Sequence, residues 1–311
     1  MVAERITVGV YALDQVILPK LAAAKGWSAR LAEAQPVLVA GAEPVAISLS
    51  EGPEGLALAA DARVSGARHR AGTGVAVEPV EARPGLFLIR IGGKAAGLAT
   101  AQPWEPGHEP SPHGAALSEA LAAYVAGTLI DTPDGPRPVE TLAPDDRVTT
   151  LGNGSRPLRW VGRRRVEAVE LLACPALRPV VFGAGALGNT RALLVSPQQR
   201  MLIDDWRAAV YFGEDRVLVG AQALVDDQAA RVMLPPGGID YVMLLCDRHE
   251  VLLAEGALSE SYHPGEAGLQ ALPAAERARL TEVFPEPEIL RRRAAFPIVR
   301  HAEARALRLQ S

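Results

Sequence analysis

Ala122-Ala123-Tyr124-Val125-Ala126-Gly127-Thr128-Leu129-Ile130-Asp131-Thr132-Pro133-Asp134-Gly135-Pro136-Arg137-Pro138-Val139-Glu140-Thr141-Leu142 sets the character of the chain. It reads as a strand over 128–131, a turn on Pro133-Asp134-Gly135, and a second strand carrying Val139 and Leu142. Proline presets one turn dihedral there and glycine accepts another, which brings the flanking apolar runs side by side. Pro144-Asp145-Asp146-Arg147-Val148 then supplies a further turn and strand.

The same grammar continues to about Pro264. Asn153-Gly154 predicts a hairpin turn before 156–161, where apolar and basic residues alternate. Arg163-Arg164-Arg165 reads as a solvated strand end rather than a nucleic-acid patch. The glycine-rich loop 183–189 lacks the lysine and following helix of a phosphate-binding loop, and no GxGxxG occurs. Apolar runs at 193–195, 201–203, 216–221 and 241–245 add strands, and strands this close without helices between them argue for an all-β module.

Upstream, residues 1–101 form a smaller mixed region that leans to β. A strand is expected over 5–13, a short helix over 21–34 from the spacing of Leu21, Trp27 and Leu31, and β structure over 36–48. The clearest element is a hairpin over 85–100, because Gly92-Gly93 separates two apolar runs and both positions tolerate positive φ. No chemistry attaches to this region, and His69, between Arg68 and Arg70, reads as a solvated loop residue. Pro103, Pro106, Pro110 and Pro112 with Gly107 mark 102–122 as a linker that ends in a short helix near 115–122. After Gly265, helical spacing at Ala275, Leu280 and Val283 and the Arg/Leu-rich runs 288–293 and 299–309 make 266–311 a helical tail packed on a β domain at 123–265.

Composition narrows the function classes. With 49% hydrophobic residues but only 5% aromatic, the interior must lean on Ala, Val and Leu, and a net charge of −4 gives no reason to expect nucleic acid as partner. No apolar run is long enough to cross a bilayer, and the N-terminus lacks the layout of a secretory signal. Cys174 and Cys246 fit a reducing compartment, so a cytoplasmic location is expected, with secretion by a signal-independent route left open. Each cysteine reads as a small buried hydrophobe. No cofactor or metal is expected. His108 and His113 in the linker have no supporting ligands, and Cys246, Asp247, His249, Glu255, Glu260 and His263 are close in sequence without a ligand spacing.

Read together, the opening stretch resembles the start of a Hint domain, the self-processing module of Hedgehog proteins and inteins, in a bacterial branch. The likeness continues in order through 185–189, Leu193-Leu194-Val195-Ser196-Pro197-Gln198-Gln199-Arg200, 217–221, 241–265 and Ile298-Val299-Arg300-His301-Ala302-Glu303-Ala304-Arg305. The resemblance implies a mainly β fold, with short C-terminal helices, and a set of site positions. A cysteine normally opens the family's domain and attacks the preceding carbonyl to give a thioester; Ala123 holds that place. A hydroxyl-x-x-histidine element normally steadies the peptide and protonates the departing amine; here it falls at Ser196-Pro197-Gln198-Gln199. Met243 stands where relatives often have a histidine, and His249 matches the family's late histidine.

Alanine leaves no atom for a covalent intermediate, and glutamine cannot shuttle a proton near neutral pH. The expectation is therefore a Hint-like protein without self-cleavage, retained as a binding or structural module, with room for a protein partner and an oligomeric state that the sequence does not specify. The alternative is self-cleavage by another nucleophile, for which Ser118 and Thr128 are the nearest hydroxyls.

Overall fold

The computed structural model describes residues 5–18, 26–80, 83–102, 104, 121–270 and 272–304. The linker histidines His108 and His113, Ser118 and most of the short helix expected near 115–122 lie outside the described residues. The chain forms two compact units. The first comprises 1–116 with 166–175 and 234–238, and the second comprises 117–165, 176–233 and 239–311.

The first unit is built on a six-stranded antiparallel sheet in the order Gly55–Leu58, Val45–Gly52, Arg5–Ala12, Lys94–Thr100, Leu86–Ile91, Val75–Pro79. The expected hairpin is present: Gly92 and Gly93 both have positive φ, at 58° and 78°, which lets a two-residue turn follow the twist of its strands. Ile6, Val8 and Val10 alternate inward along the first strand and pack with Ile47, Leu49, Phe87, Ile89 and Ile91. The helix Gly26–Glu33 forms within the span expected. His69 ends a two-stranded hairpin, Ala62–Val64 with Ala67–His69, rather than lying in a loop.

A short helix, Ala168–Ala173, also belongs to this unit, since Val169 and Leu172 join the same core. The sequence reading placed no helix between 128 and 264 and kept these residues with the following domain. Their long-range partners are the reason for the difference, because a six-residue stretch is too short for its periodicity to show which core its apolar residues join.

The second unit is a large β assembly. Its strand path runs Val217–Gly220, Arg200–Ile203, Ala257–Glu260, Val251–Ala254, Arg147–Thr150, Gly154–Val166, Ile239–Cys246, Tyr124–Val125, Leu193–Val195, Val180–Phe182, Ala230–Val232. Tyr241–Cys246 is buried throughout, which is what a continuous apolar run does when strands flank it on both sides and side chains cover both faces. Val242, Leu244 and Cys246, on one face of it, share a core with Tyr124, Ile130, Leu158, Phe182, Leu193, Met201, Val219 and Leu252. Each such large apolar side chain taken out of water contributes about 1.5–3 kcal/mol.

Three local readings differ from expectation. Arg137–Pro138 pairs as a strand with Leu129–Ile130, but Val139–Thr141 is a 3-10 turn, which puts the fully buried Val139 and Leu142 on one face at a spacing of three. Arg163 and Arg165 are exposed, whereas Arg164 is buried because successive strand residues point to opposite faces. A second helix, Trp206–Phe212, starts at Asp205, whose carboxylate accepts from the Arg207 N–H, and stops at Gly213 in the left-handed region at φ 70°.

The tail is helical at Glu266–Gln270, Ala274–Val283, Glu286–Leu290 and His301–Ala304, with Leu280, Ile289 and Ala304 fully buried. It also adds backbone pairing. Leu218 N–H donates to Pro297 O at 2.8 Å and Val299 N–H donates to Leu218 O at 3.0 Å. Among the described residues no helix is long and apolar enough to cross a membrane.

Candidate functional site

The site begins at the strand Tyr124–Val125, which is held between Leu193–Val195 and Ile239–Cys246. Tyr124 is opposite Val195 on one side and Val242 on the other, and continuing that register sets Met243 opposite Ala123. Met243 is fully buried and Ala123 is nearly so.

Ala123 and Ser196 are joined by two hydrogen bonds. The Ala123 N–H, which belongs to the peptide bond from residue 122, donates to Ser196 Oγ at 2.8 Å, and the Ser196 N–H donates to Ala123 O at 2.9 Å. A tight turn follows, closed by Gln199 N–H donating to Ser196 O at 3.1 Å. That turn is why a residue three places on comes back to the same corner. The Gln199 side chain is buried and its Nε2 donates to Glu260 O at 2.8 Å.

Glu260 is the hub that sequence reasoning missed, having met it only as a metal-ligand candidate. Its carbonyl takes the Gln199 amide and the Tyr124 hydroxyl, the latter at 2.8 Å, while Ser259 Oγ lies 2.5 Å from the same phenol oxygen. Its carboxylate is wholly buried and accepts from Arg200 twice, from the backbone N–H at 3.1 Å and from the guanidinium at 2.9 Å. His249 Nε2 stands 3.1 Å from the same carboxylate, at ion-pair distance but off hydrogen-bond alignment. The signal was present in the sequence: an arginine inside Gln199-Arg200-Met201-Leu202 and a glutamate inside Leu258-Ser259-Glu260, both within apolar strands, need each other.

His249 is fixed from its other side too. Its Nδ1 accepts from Ala295 N–H at 3.0 Å, so the ring hydrogen of the neutral form sits on Nε2 and faces Glu260. His263 stacks on it, with ring centroids 4.3 Å apart and planes at 10°. Burial, then the neighbouring imidazole, drops the His263 pKa to about 4, so its ring is neutral at pH 7. Burial likewise pushes the Tyr124 hydroxyl up, and the Cys246 thiol up to about 12.

The expected positions therefore meet in part. Ala123, Ser196 and Gln199 share one corner, Met243 backs it, and His249 reaches it only by way of Glu260. Thr128 is buried one residue before the strand Leu129–Ile130, with its backbone bonded to Val125 O and Val139 N–H. The remaining candidates have separate partners. Glu255 is forked by Arg191 at 2.9 and 2.6 Å and accepts from Leu129 N–H; burial raises its pKa, but these bonds outweigh it and hold the carboxyl low. Asp247 is more than half exposed and pairs with Arg159 at 3.4 Å. Cys246 is buried and Cys174 is partly buried. Among the described residues no three His, Cys, Asp or Glu gather as metal ligands.

A recess lined by Leu121, Leu177, Ser196, Pro197 and Tyr241 adjoins the Ala123 corner and has no room for a water molecule. The corner thus holds a methyl, a hydroxyl and a primary amide, all buried, none of which takes or gives a proton near neutral pH.

Residues 122–266 match the family described as the Hint domain. The chain carries a Hint domain. It is similar to several solved structures, an intein-like domain and an intein among them. One is the solution structure of a bacterial intein-like domain from Clostridium thermocellum, 12% identical, covering 46% of this chain and 100% of that one at a TM-score of 0.33. The other is the crystal structure of the gp41-1 intein, 9% identical, covering 44% of this chain and 97% of that one at a TM-score of 0.30. No curated protein matches the chain. In the Hint domain's own strand order, the tight turn 196–199 and the entry strand at 124–125 are neighbours by direct pairing, which is what brings Ser196 to the amide of Ala123.

Proposed function

We propose that this Hint domain does not cleave its own chain and persists as a binding module to which the N-terminal unit stays covalently attached. The observation that carries the reading is the methyl group of Ala123, set where the resemblance expects a thiol. A thioester forms when a side-chain sulfur adds to the preceding carbonyl and the amine leaves with a proton. Here no heteroatom faces the carbonyl of residue 122 from position 123, and Gln199 supplies a hydrogen bond in place of a transferable proton. Ser196 Oγ is engaged as an acceptor from the amide it adjoins.

Intact-mass analysis of the full chain, incubated with and without thiol or hydroxylamine, tests this. The expected result is one species at 32.8 kDa under every condition. Fragments separated near residue 123 would overturn it, and a cut ahead of Thr128 or Ser118 would assign the chemistry to a hydroxyl instead.

A further inference from the structure

The helix Trp206–Phe212 in the second unit carries apolar side chains on both its inner and its outer face. Ala208 is buried and Phe212 packs on the core, four residues apart on the inner face. The outer face carries Trp206 at 70% exposure, Val210 at 65% and Tyr211 at 54%, so apolar side chains stand where solvated ones are normal. Three of the nine large hydrophobic side chains exposed among the described residues lie in these seven positions. A clustered patch of this kind marks an interaction surface, whereas the same residues scattered singly would mean nothing.

Beside the helix is an open groove of about 730 Å³, floored by Phe296 and Pro297 and rimmed by Asp204, Asp205, Glu214 and Asp215. Asp204 pairs with Arg216 at 2.8 Å and Asp205 with Arg207 at 2.6 Å. The side chains of Glu214 and Asp215 have no partner among the described residues, which leaves the rim negative. We propose that this aromatic face and its acidic groove dock a short cationic and apolar segment of a partner protein, independently of whether the Hint domain cleaves itself. Charge selects that occupant. A second copy related by a two-fold axis would bring Glu214 and Asp215 against their own counterparts, and anionic lipid or nucleic acid would meet the same repulsion. A segment with Arg or Lys beside a large apolar residue satisfies both the rim and the exposed rings.

The test titrates the full chain with a ten-residue peptide of alternating Arg and Leu, read by calorimetry and tryptophan emission. Matched controls are an Arg-Gly peptide, a Glu-Leu peptide and vesicles of equal phosphatidylcholine and phosphatidylglycerol. The Arg-Leu peptide is expected to bind and to blue-shift the emission of the exposed Trp206, with affinity falling about tenfold or more in Trp206→Ala and again in Glu214→Gln/Asp215→Asn. Val210→Ser serves as a second surface variant, and unchanged melting temperatures show that all of them fold. No binding by the wild type, equal binding by the variants, or equal binding of Arg-Gly would overturn the proposal. Dimerisation lost on Trp206→Ala, or binding to the vesicles alone, would overturn it in favour of a second copy or a lipid surface.

Discussion

Around Ala123 the Hint domain presents a methyl, a hydroxyl and a primary amide; around Glu260, reached along the same hydrogen bonds, it presents a carboxylate, a guanidinium and two imidazoles. Both places are buried, yet they face different constraints. Neutral groups need only one good partner each, and Ser196 and Gln199 have theirs. A buried carboxylate must be paired, and Glu260 has the Arg200 guanidinium and backbone N–H. The residues that hold this corner in shape are thus separable from the residues that would react in it. The framework around position 123 can be retained whether or not chemistry is.

The sharpest way to break that separation is to restore a nucleophile alone and then with its helper. Ala123→Cys is expected to give slow, hydroxylamine-sensitive cleavage at residue 123, and Ala123→Cys with Gln199→His to be faster by on the order of 10²–10⁴, followed by intact mass over time. Equal rates in the two variants would mean that Gln199 already does what a histidine does.

Glu260→Ala probes the ionic end. Removing one member of a buried pair costs about 3 kcal/mol, at the low end of such losses because the Arg200 side chain keeps 27% exposure. Urea unfolding reads this directly, and a loss below about 1 kcal/mol would make the pair equivalent to a surface one. Ser196→Ala strips the acceptor from the Ala123 N–H and is expected to cost less, about 1–3 kcal/mol by the same measurement.

The smallest effect is a pH dependence. His263 has a folded pKa of about 4, below the ordinary histidine value, so between the two the unfolded chain binds more protons. Stability from this group is therefore complete above about pH 6.5 and falls as the pH drops toward 4. Because the ring is only partly buried, about 1 kcal/mol is expected. A His263→Gln variant should flatten the stability profile over that interval, and an unchanged slope would place the titration elsewhere.

Local signals account for what the sequence made legible. Gly92-Gly93, the Pro-Asp-Gly turn and the buried run 241–246 act within a few residues, and each forms where it is expected. The positions 123, 196 and 199 were readable as a set only through the resemblance to the Hint domain, since Ala123 and Ser196 lie 73 residues apart. Glu260 was missed because a charge inside an apolar strand signals only that a partner is needed, and its partners, 60 and 61 residues away, are named by no spacing. The helix Ala168–Ala173 escaped notice for the same reason: its apolar residues find their core in strands far earlier in the chain. Trp206–Phe212 was different. Asp205 and Gly213 were ordinary start and stop signals, obscured by an apolar outer face that reads as a strand.

The pairing of residues 297–299 with Leu218 has one more consequence. Val217–Gly220 is the last strand on its side of the large sheet, and an uncovered border of that kind invites another polypeptide to zip onto it. By laying residues 297–299 there, the molecule blunts the border against edge-to-edge pairing. Trimming the chain back to residue 294 is expected to unmask that border and to raise light scattering relative to the longer chain.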